Sequence, residues 1–197
     1  LTESGFTLRR GFPESQRETA ARIYWEAFGG KLGPVLGPEA RAIAFLRAVL
    51  CPDHCFAALN PEGRLVGIAG FKTPTGSFAG GSSSDLRRIY GRWGAGWRQA
   101  VLWLLSHEID NSRFLVDGIA VTRPARGQGI GSALLRLLCD EGRARGYGAI
   151  RLEVIDTNWR ARALYERAGF LPARTERIGP LRFLFGFTSA TTMVRPL

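Results

Sequence analysis

The sequence predicts a mixed α/β (α+β) fold in a single domain, residues 1–197. Three observations carry that reading. Strand, glycine-rich turn, helix, strand and helix patterns follow one another from Phe114 to Ala168, as in a βαβα unit. Two helical patterns and a strand pair precede them. The chain of 197 residues, 45% hydrophobic and 22% charged, is long enough to bury one substantial core.

Phe6 to Phe12 reads as a short first strand. Pro13-Glu14-Ser15 then opens an amphipathic helix through Phe28, with Ala20, Ile23, Tyr24, Ala27 and Phe28 at helical spacing and Gly29-Gly30 as its stop. A break rich in Gly and Pro leads to a second helix, Glu39 to Leu50, whose Ile43, Leu46, Val49 and Leu50 mark one face. Strands Cys55 to Leu59 and Arg64 to Lys72 flank Asn60-Pro61-Glu62-Gly63, a turn composition. Thr73 to Ser84, small and polar, reads as a mobile loop.

Asp85 to Ser106 has helical spacing weakened by Gly91, Gly94 and Gly96, giving one helix or two short ones in a helical insertion at about 73–110. A strand at Phe114 to Val121, a helix from about Gly129 to Arg145, a strand at Ala149 to Ile155 and a helix at Trp159 to Ala168 follow. Two last strands, Leu171 to Ile178 and Thr191 to Arg195, enclose a Phe-rich stretch.

The net charge is +10, and because Lys31 and Lys72 are the sole lysines, the positive surface is an arginine surface. Such a balance suggests an anionic ligand. Residues 123–182 hold 12 arginines against six acids, more than half of the net charge in less than a third of the chain. With no long basic run, nucleic acid is not the expected partner. No apolar run reaches the length of a membrane span, and Leu1 to Gly11 lacks the pattern of a signal peptide. Three cysteines fit a reducing compartment, so a cytoplasmic location is expected. Cys51, His54 and Cys55 lack neighbours in sequence to complete a metal site, the other candidates being His107 and Cys139. No metal is expected.

Arg126-Gly127-Gln128-Gly129-Ile130-Gly131-Ser132 lies between a strand and a helix. The first N–H groups of a helix have no internal partners, and glycines remove the Cβ atoms that would keep a phosphate away. The turn is thus an anion cradle with Arg126 as an added cation; a plain tight turn is the bland alternative. Ser132 stands where a Rossmann fingerprint needs its third glycine, and a P-loop would need a lysine.

What fits is Arg-x-x-Gly-x-Gly, which resembles the pyrophosphate-binding turn after the fourth strand in the GNAT superfamily of N-acetyltransferases. Ile119-Ala120-Val121 looks like the end of that fourth strand. Asn158-x-x-Ala161-x-x-Leu164-Tyr165-Glu166-x-x-Gly169-Phe170 is similar to the superfamily's second signature. The resemblance spans Phe114 to Phe170, whereas residues before about Leu59 match only in the order of elements.

The resemblance implies a mostly antiparallel sheet whose fourth and fifth strands splay apart around the pantetheine arm of acetyl-CoA. Ile119, Ala120 and Val121 would supply backbone contacts to that arm. Arg126, Gly127, Gln128, Gly129, Ile130, Gly131 and Ser132 would hold the pyrophosphate. Asn158 would bond the arm or fix the splayed strand, a plain helix N-cap being the bland alternative, and Ala161 would line the arm. Tyr165 would contact the donor and give a proton to the departing thiolate. An acceptor amine must itself lose a proton. Glu153, which alternation puts on the face of Arg151 and Ile155, is one candidate base; Asp117, read as sharing a face with Ile119 and Val121, is the other. A solvated or ion-paired strand carboxylate is the bland alternative for each.

Acceptor recognition is expected from Trp25 to Leu36, from the insertion with Trp93, Trp97 and Trp103, and from Phe183 to Phe187. The tryptophans are expected in the core; exposed around a pocket, they would favour an aromatic-rimmed amine site. The implied activity is acetyl transfer from acetyl-CoA to a primary amine of a small molecule by direct attack in a ternary complex. A protein N-terminal or lysine acetyltransferase is the same-class alternative, and a non-catalytic CoA-binding or nucleic-acid-binding regulator the different-class one. The chain is expected to act as a monomer or homodimer away from membranes.

Overall fold

The computed structural model describes residues 2, 3, 5–105 and 113–197. Its strands are β1 (Thr2–Glu3), β2 (Phe6–Arg10), β3 (Cys55–Leu59), β4 (Leu65–Thr73), β5 (Gly76–Ser77), β6 (Phe114–Val121), β7 (Ala149–Ile155), β8 (Leu171–Arg177) and β9 (Ser189–Pro196). Its helices are α1 (Arg17–Leu36), α2 (Glu39–Val49), α3 (Ser83–Leu105), α4 (Ile130–Ala144), α5 (Trp159–Arg167) and the single turn α6 (Arg182–Phe185). The strands form one sheet in the order β1-β2-β3-β4-β6-β7-β9-β8, with β5 on β4. The fourth and fifth strands of the sequence reading are β6 and β7, because the short β1 and β5 add to the count.

Every pairing is antiparallel except β6 with β7. Among the described residues that parallel pair is joined only at Phe114↔Ile150 and Leu115↔Arg151. Beyond these residues β6 stays paired with β4, across a register shift between Val116 and Gly118, and β7 stays paired with β9. The two strands therefore part toward their C-terminal ends, as the resemblance implied.

Side chains sort to two faces. Phe71, Phe114, Ile150, Leu152 and Val154 pack with Ile130, Leu134 and Leu138 of α4 and with Tyr165 and Phe170. Leu65, Ile68 and Ala120 pack on the other face with Ala20, Ile23 and Tyr24 of α1 and Ile43 and Leu46 of α2. Burial of these apolar faces is the main stabilising term, at about 25 cal/mol per Å² removed from water.

Three local expectations are corrected. Helix α1 does not stop at Gly29-Gly30 but runs through Pro34 to Leu36. Val35 and Leu36 are buried there, and tertiary burial outweighs the poor helix propensity of glycine and proline. The segment expected as a mobile loop is tied down: Phe78 is fully buried, its N–H donates to the Phe71 carbonyl at 3.1 Å, and its carbonyl accepts from Cys51 N–H at 2.9 Å. Gly70 makes room for it, since a Cβ at that position would overlap the Phe78 ring.

Helix α3 is broken by non-helical backbone at Gly91, with φ at 73°, so two helical pieces meet at a kink. Leu86, Tyr90 and Ala95 face α2, but Trp93 is 95% exposed and Trp97 is 47% exposed, so neither is the core residue expected. The kink turns Trp93 outward. Trp103 and residues 106–110 of the expected insertion lie outside the described side chains and residues. No helix among the described residues is long and apolar enough to cross a membrane.

Candidate active site

The glycine turn closes β6 onto α4. Gly127 and Gly129 take φ of 80° and 81°, a backbone region that penalises any Cβ, and a Cβ at either would meet nothing within 4 Å. Glycine is therefore required by conformation, and the space above the turn is open. Gly129 caps α4 without a side-chain bond, leaving the first amides of α4 to a ligand. Gly131 has a separate reason: a Cβ there would sit 3.3 Å from Leu164 Cδ2, so its small size lets α4 approach α5.

Open space, exposed amides and the positive end of a fifteen-residue helix together fit a phosphate. Ile130 is buried beneath the turn, and Gln128 is tied to the Pro124 carbonyl at 3.3 Å. Arg126, expected to face the phosphates, lies back along the strand: Nε donates to the Val121 carbonyl at 3.0 Å and Nη2 lies 3.8 Å from Glu26. Arg123 pairs with the same Glu26 at 2.9 Å. Glu26 thus bridges α1 and the start of the glycine turn, a contact that no sequence spacing announced.

Ile119, Ala120 and Val121 pair with Ala69, Ile68 and Gly67 of β4 and leave their other edge toward the opening between β6 and β7. Ile119 and Val121 face the α4 core, and Ala120 faces α1. Asn158 Oδ1 accepts from Ala161 N at 3.2 Å, so Asn158 is the N-cap of α5 and retains its amide N–H groups to offer a ligand. Ala161 packs against the core under that first turn.

Tyr165 is buried on the α4 side of the sheet, its ring 6.0 Å from that of Phe170. Burial pushes its phenol up to about 12. The group holds its proton throughout the physiological range, which is the state a proton donor must start from.

Alternation holds on β7: Arg151 Nη2 reaches Glu153 Oε1 at 3.2 Å on the face opposite Leu152 and Val154. The Glu153 carboxylate is half-exposed. Alternation fails on β6, which corrects the reading of Asp117. Gly70 pairs with Gly118 and Phe71 with Val116, so Asp117 is an extra residue in a β-bulge. The bulge turns Asp117 away from Ile119 and Val121 and onto the α1 face. There its Oδ2 accepts from Ala79 N at 2.8 Å and its Oδ1 lies 3.5 Å from Lys72 Nζ. Burial first, and the nearby Asp117 charge second, hold the Tyr24 phenol well above its ordinary range.

Asp117 and Glu153 consequently share one sheet face on opposite sides of the opening. Tyr24 and Phe28 of α1 cover that face, their rings 4.5 Å apart. Gly118 admits the Phe28 ring, which a Cβ there would overlap. A glycine inside an apolar strand is the sequence signal for both the bulge and this close approach. Of the expected acceptor elements, Val35 meets Phe185, Phe187 and Ile155 in one small cluster, whereas Phe183 is exposed. Among the described residues no group of three or more His, Cys, Asp or Glu is placed to hold a metal ion.

A splayed strand pair in a mostly antiparallel sheet, with a glycine turn at a helix N-terminus, defines a GNAT-type acetyltransferase fold. The chain belongs to the Acetyltransferase (GNAT) family, whose profile matches residues 17–170. It is 40% identical over 79 residues to a mycothiol acetyltransferase of Beutenbergia cavernae, covering 40% of this chain and 26% of that protein. It is 39% identical over 66 residues to a streptothricin acetyltransferase of Streptomyces lavendulae, covering 34% of this chain and 35% of that protein. The chain thus spans about a quarter to a third of the curated relatives it matches. A GCN5-related N-acetyltransferase from Kribbella flavida shares the fold over 100% of both chains, with a TM-score of 0.65 at 17% identity.

Proposed function

We propose that this protein transfers an acetyl group from acetyl-CoA to a primary amine of a small molecule, by direct attack in a ternary complex. The observation that carries the donor is the opening between β6 and β7 with the phosphate-sized turn at its end. The choice of a small acceptor is supported by the names of the two curated relatives, both acetyltransferases of small molecules.

When bound, acetyl-CoA supplies the thioester carbonyl that the amine attacks. Backbone groups of Ile119, Ala120 and Val121 bond the pantetheine arm along the free edge of β6, and the amide N–H groups of Asn158 bond it from the start of α5. Residues 126–132 would hold the pyrophosphate, with Arg126 as an added cation beside the turn. Tyr165 gives its proton to the departing sulfur. Glu153, half-exposed and therefore reachable by water, takes the amine proton through a water molecule, while Asp117 holds the 78–79 segment and Lys72 around the acceptor. Positioning two substrates side by side supplies the larger share of the rate, up to about 7–11 kcal/mol in model reactions.

The deciding experiment is a thiol-release screen with acetyl-CoA over polyamines, amino acids, aminoglycosides and N-terminal peptides. Thiol release with a small amine is expected. Release with peptides alone would transfer the assignment to a protein N-terminal acetyltransferase, and silence with every acceptor would point to a binding protein on this fold.

A further inference from the structure

We propose that Cys51 is a reactive thiol equipped for thiol–disulfide exchange, with His54 as its base and Thr73 holding the imidazole, and that it takes the disulfide of a low-molecular-mass thiol. The site lies where α2 hands over to β3, and the inference stands apart from the acetyl-transfer reading.

Cys51 Sγ lies 3.5 Å from His54 Nδ1. His54 Nε2 lies 3.0 Å from Thr73 Oγ1. Thr73 Oγ1 is also 3.4 Å from the Gly76 carbonyl, which can only accept, and 2.9 Å from Thr75 Oγ1. A threonine hydroxyl has one proton. Given to Gly76, it leaves Thr73 to accept from His54 Nε2–H, and the lone pair of Nδ1 then faces the Cys51 thiol. The second ring nitrogen of a histidine is set in this way by the partner of the first.

The imidazole is held on other sides as well. Its ring is 5.5 Å from that of Phe71, and a Cβ on Gly76 would come within 2.9 Å of His54 Cε1, so β5 folds closely over it. The Arg17 guanidinium donates to the Leu50 carbonyl at 2.6 Å, one residue from Cys51 in the chain. A cysteine that is not fully buried, with an imidazole nitrogen in reach of its sulfur, is in an environment where thiols react.

The other two cysteines lack that environment. Cys55 is fully buried and its thiol is pushed up to about 12, chiefly by burial. Burial likewise raises Cys139, which is nearly inaccessible.

The exchange balances within the named partners. The thiol proton passes to His54 Nδ1, the Cys51 thiolate attacks one sulfur of the disulfide, a new S–S bond forms as the old one breaks, and the released thiolate recovers the proton from His54. Cys51 is oxidised and one half of the small disulfide is reduced.

The test treats the intact protein with hydroxyethyl disulfide, and in parallel with iodoacetamide, and follows adducts by intact mass and peptide mapping. The expected result is one adduct, on Cys51, formed about ten-fold or more faster than at Cys55 or Cys139 and released from the disulfide adduct by dithiothreitol. His54→Gln should slow it about ten-fold at unchanged melting temperature, and Thr73→Val should slow it less. Equal labelling of the three cysteines, or labelling only on unfolding, would overturn the proposal. So would an unchanged Cys51 rate in a folded His54→Gln protein. Should that variant not fold, a wild-type rate in Thr73→Val overturns it equally.

Discussion

Tyr165 is the residue whose environment speaks most directly about chemistry. Its phenol is raised from 10 to about 12 by burial, so deprotonation cannot limit turnover until strongly alkaline pH. Tyr165→Phe should lower kcat about 10²-fold while leaving the KM for acetyl-CoA within a factor of about two; steady-state kinetics on the best amine of the screen would check it. An unchanged kcat would make Tyr165 a packing residue. The same burial has a stability sign. Because the folded value lies above the unfolded one, the contribution of the neutral phenol is complete below pH 10 and is lost as pH rises toward 12, which a melting series in alkaline buffer would record. The two carboxylates separate by their partners. Glu153→Gln should reduce kcat about 10²-fold with little change in melting temperature. Asp117→Asn, which weakens the Lys72 contact and the acceptor of Ala79 N–H, should cost about 1 kcal/mol in stability and less in kcat. Equal kcat losses in the two would remove the distinction drawn between them.

At the scale of elements, the legible parts were those that local pattern alone determines. Strands β3 and β7 were readable to the residue, and α4 and α5 to within a residue of each end, because apolar periodicity and a glycine or Asn cap coincide there. The glycine turn lies between β6 and α4, where the pattern put it, but Arg126 lies back against Val121 and Glu26. What escaped was set by contact between elements. Helix α1 continues past two glycines because Val35 and Leu36 find a core, and the 73–84 segment is ordered because Phe78 fills the space over Gly70. The bulge at Asp117 shifts side-chain alternation by one residue, which strict periodicity cannot foresee. The turn itself invites a direct trial. Gly129→Ala forces a Cβ into a φ of 81° and should destabilise the protein by about 1–2 kcal/mol. It should also raise the KM for acetyl-CoA several-fold with kcat nearly kept. Thermal unfolding and donor titrations would measure both, and an unaffected KM would argue that the turn does not hold the donor.

For the whole molecule, the arginine excess and the single parallel contact belong together. The donor would lie between two parts of the sheet and beside the most basic third of the chain. Acetyl-CoA should therefore raise the melting temperature, with a gain of about 2.7 kcal/mol at a hundred times its Kd. Added salt should diminish that gain, since phosphate attraction to exposed arginines is screened over about 8 Å at physiological ionic strength. A salt-independent shift in differential scanning fluorimetry would assign the excess charge to some other partner.

The junction at Phe114 and Leu115 has a mechanical meaning too. With β6 and β7 stitched only there, the sheet resembles a clothes-peg whose spring is the pair of residues at one end and whose jaws are the free ends near Val121 and Ile155. Two leaves, β6 laddered to β4 apart from the bulge at Asp117 and β7 laddered to β9, can flex about that spring without breaking a ladder bond. Amides along the inner edges of the two jaws should exchange hydrogen faster than those bonded to β4 or β9, and a clamped ligand should slow them first.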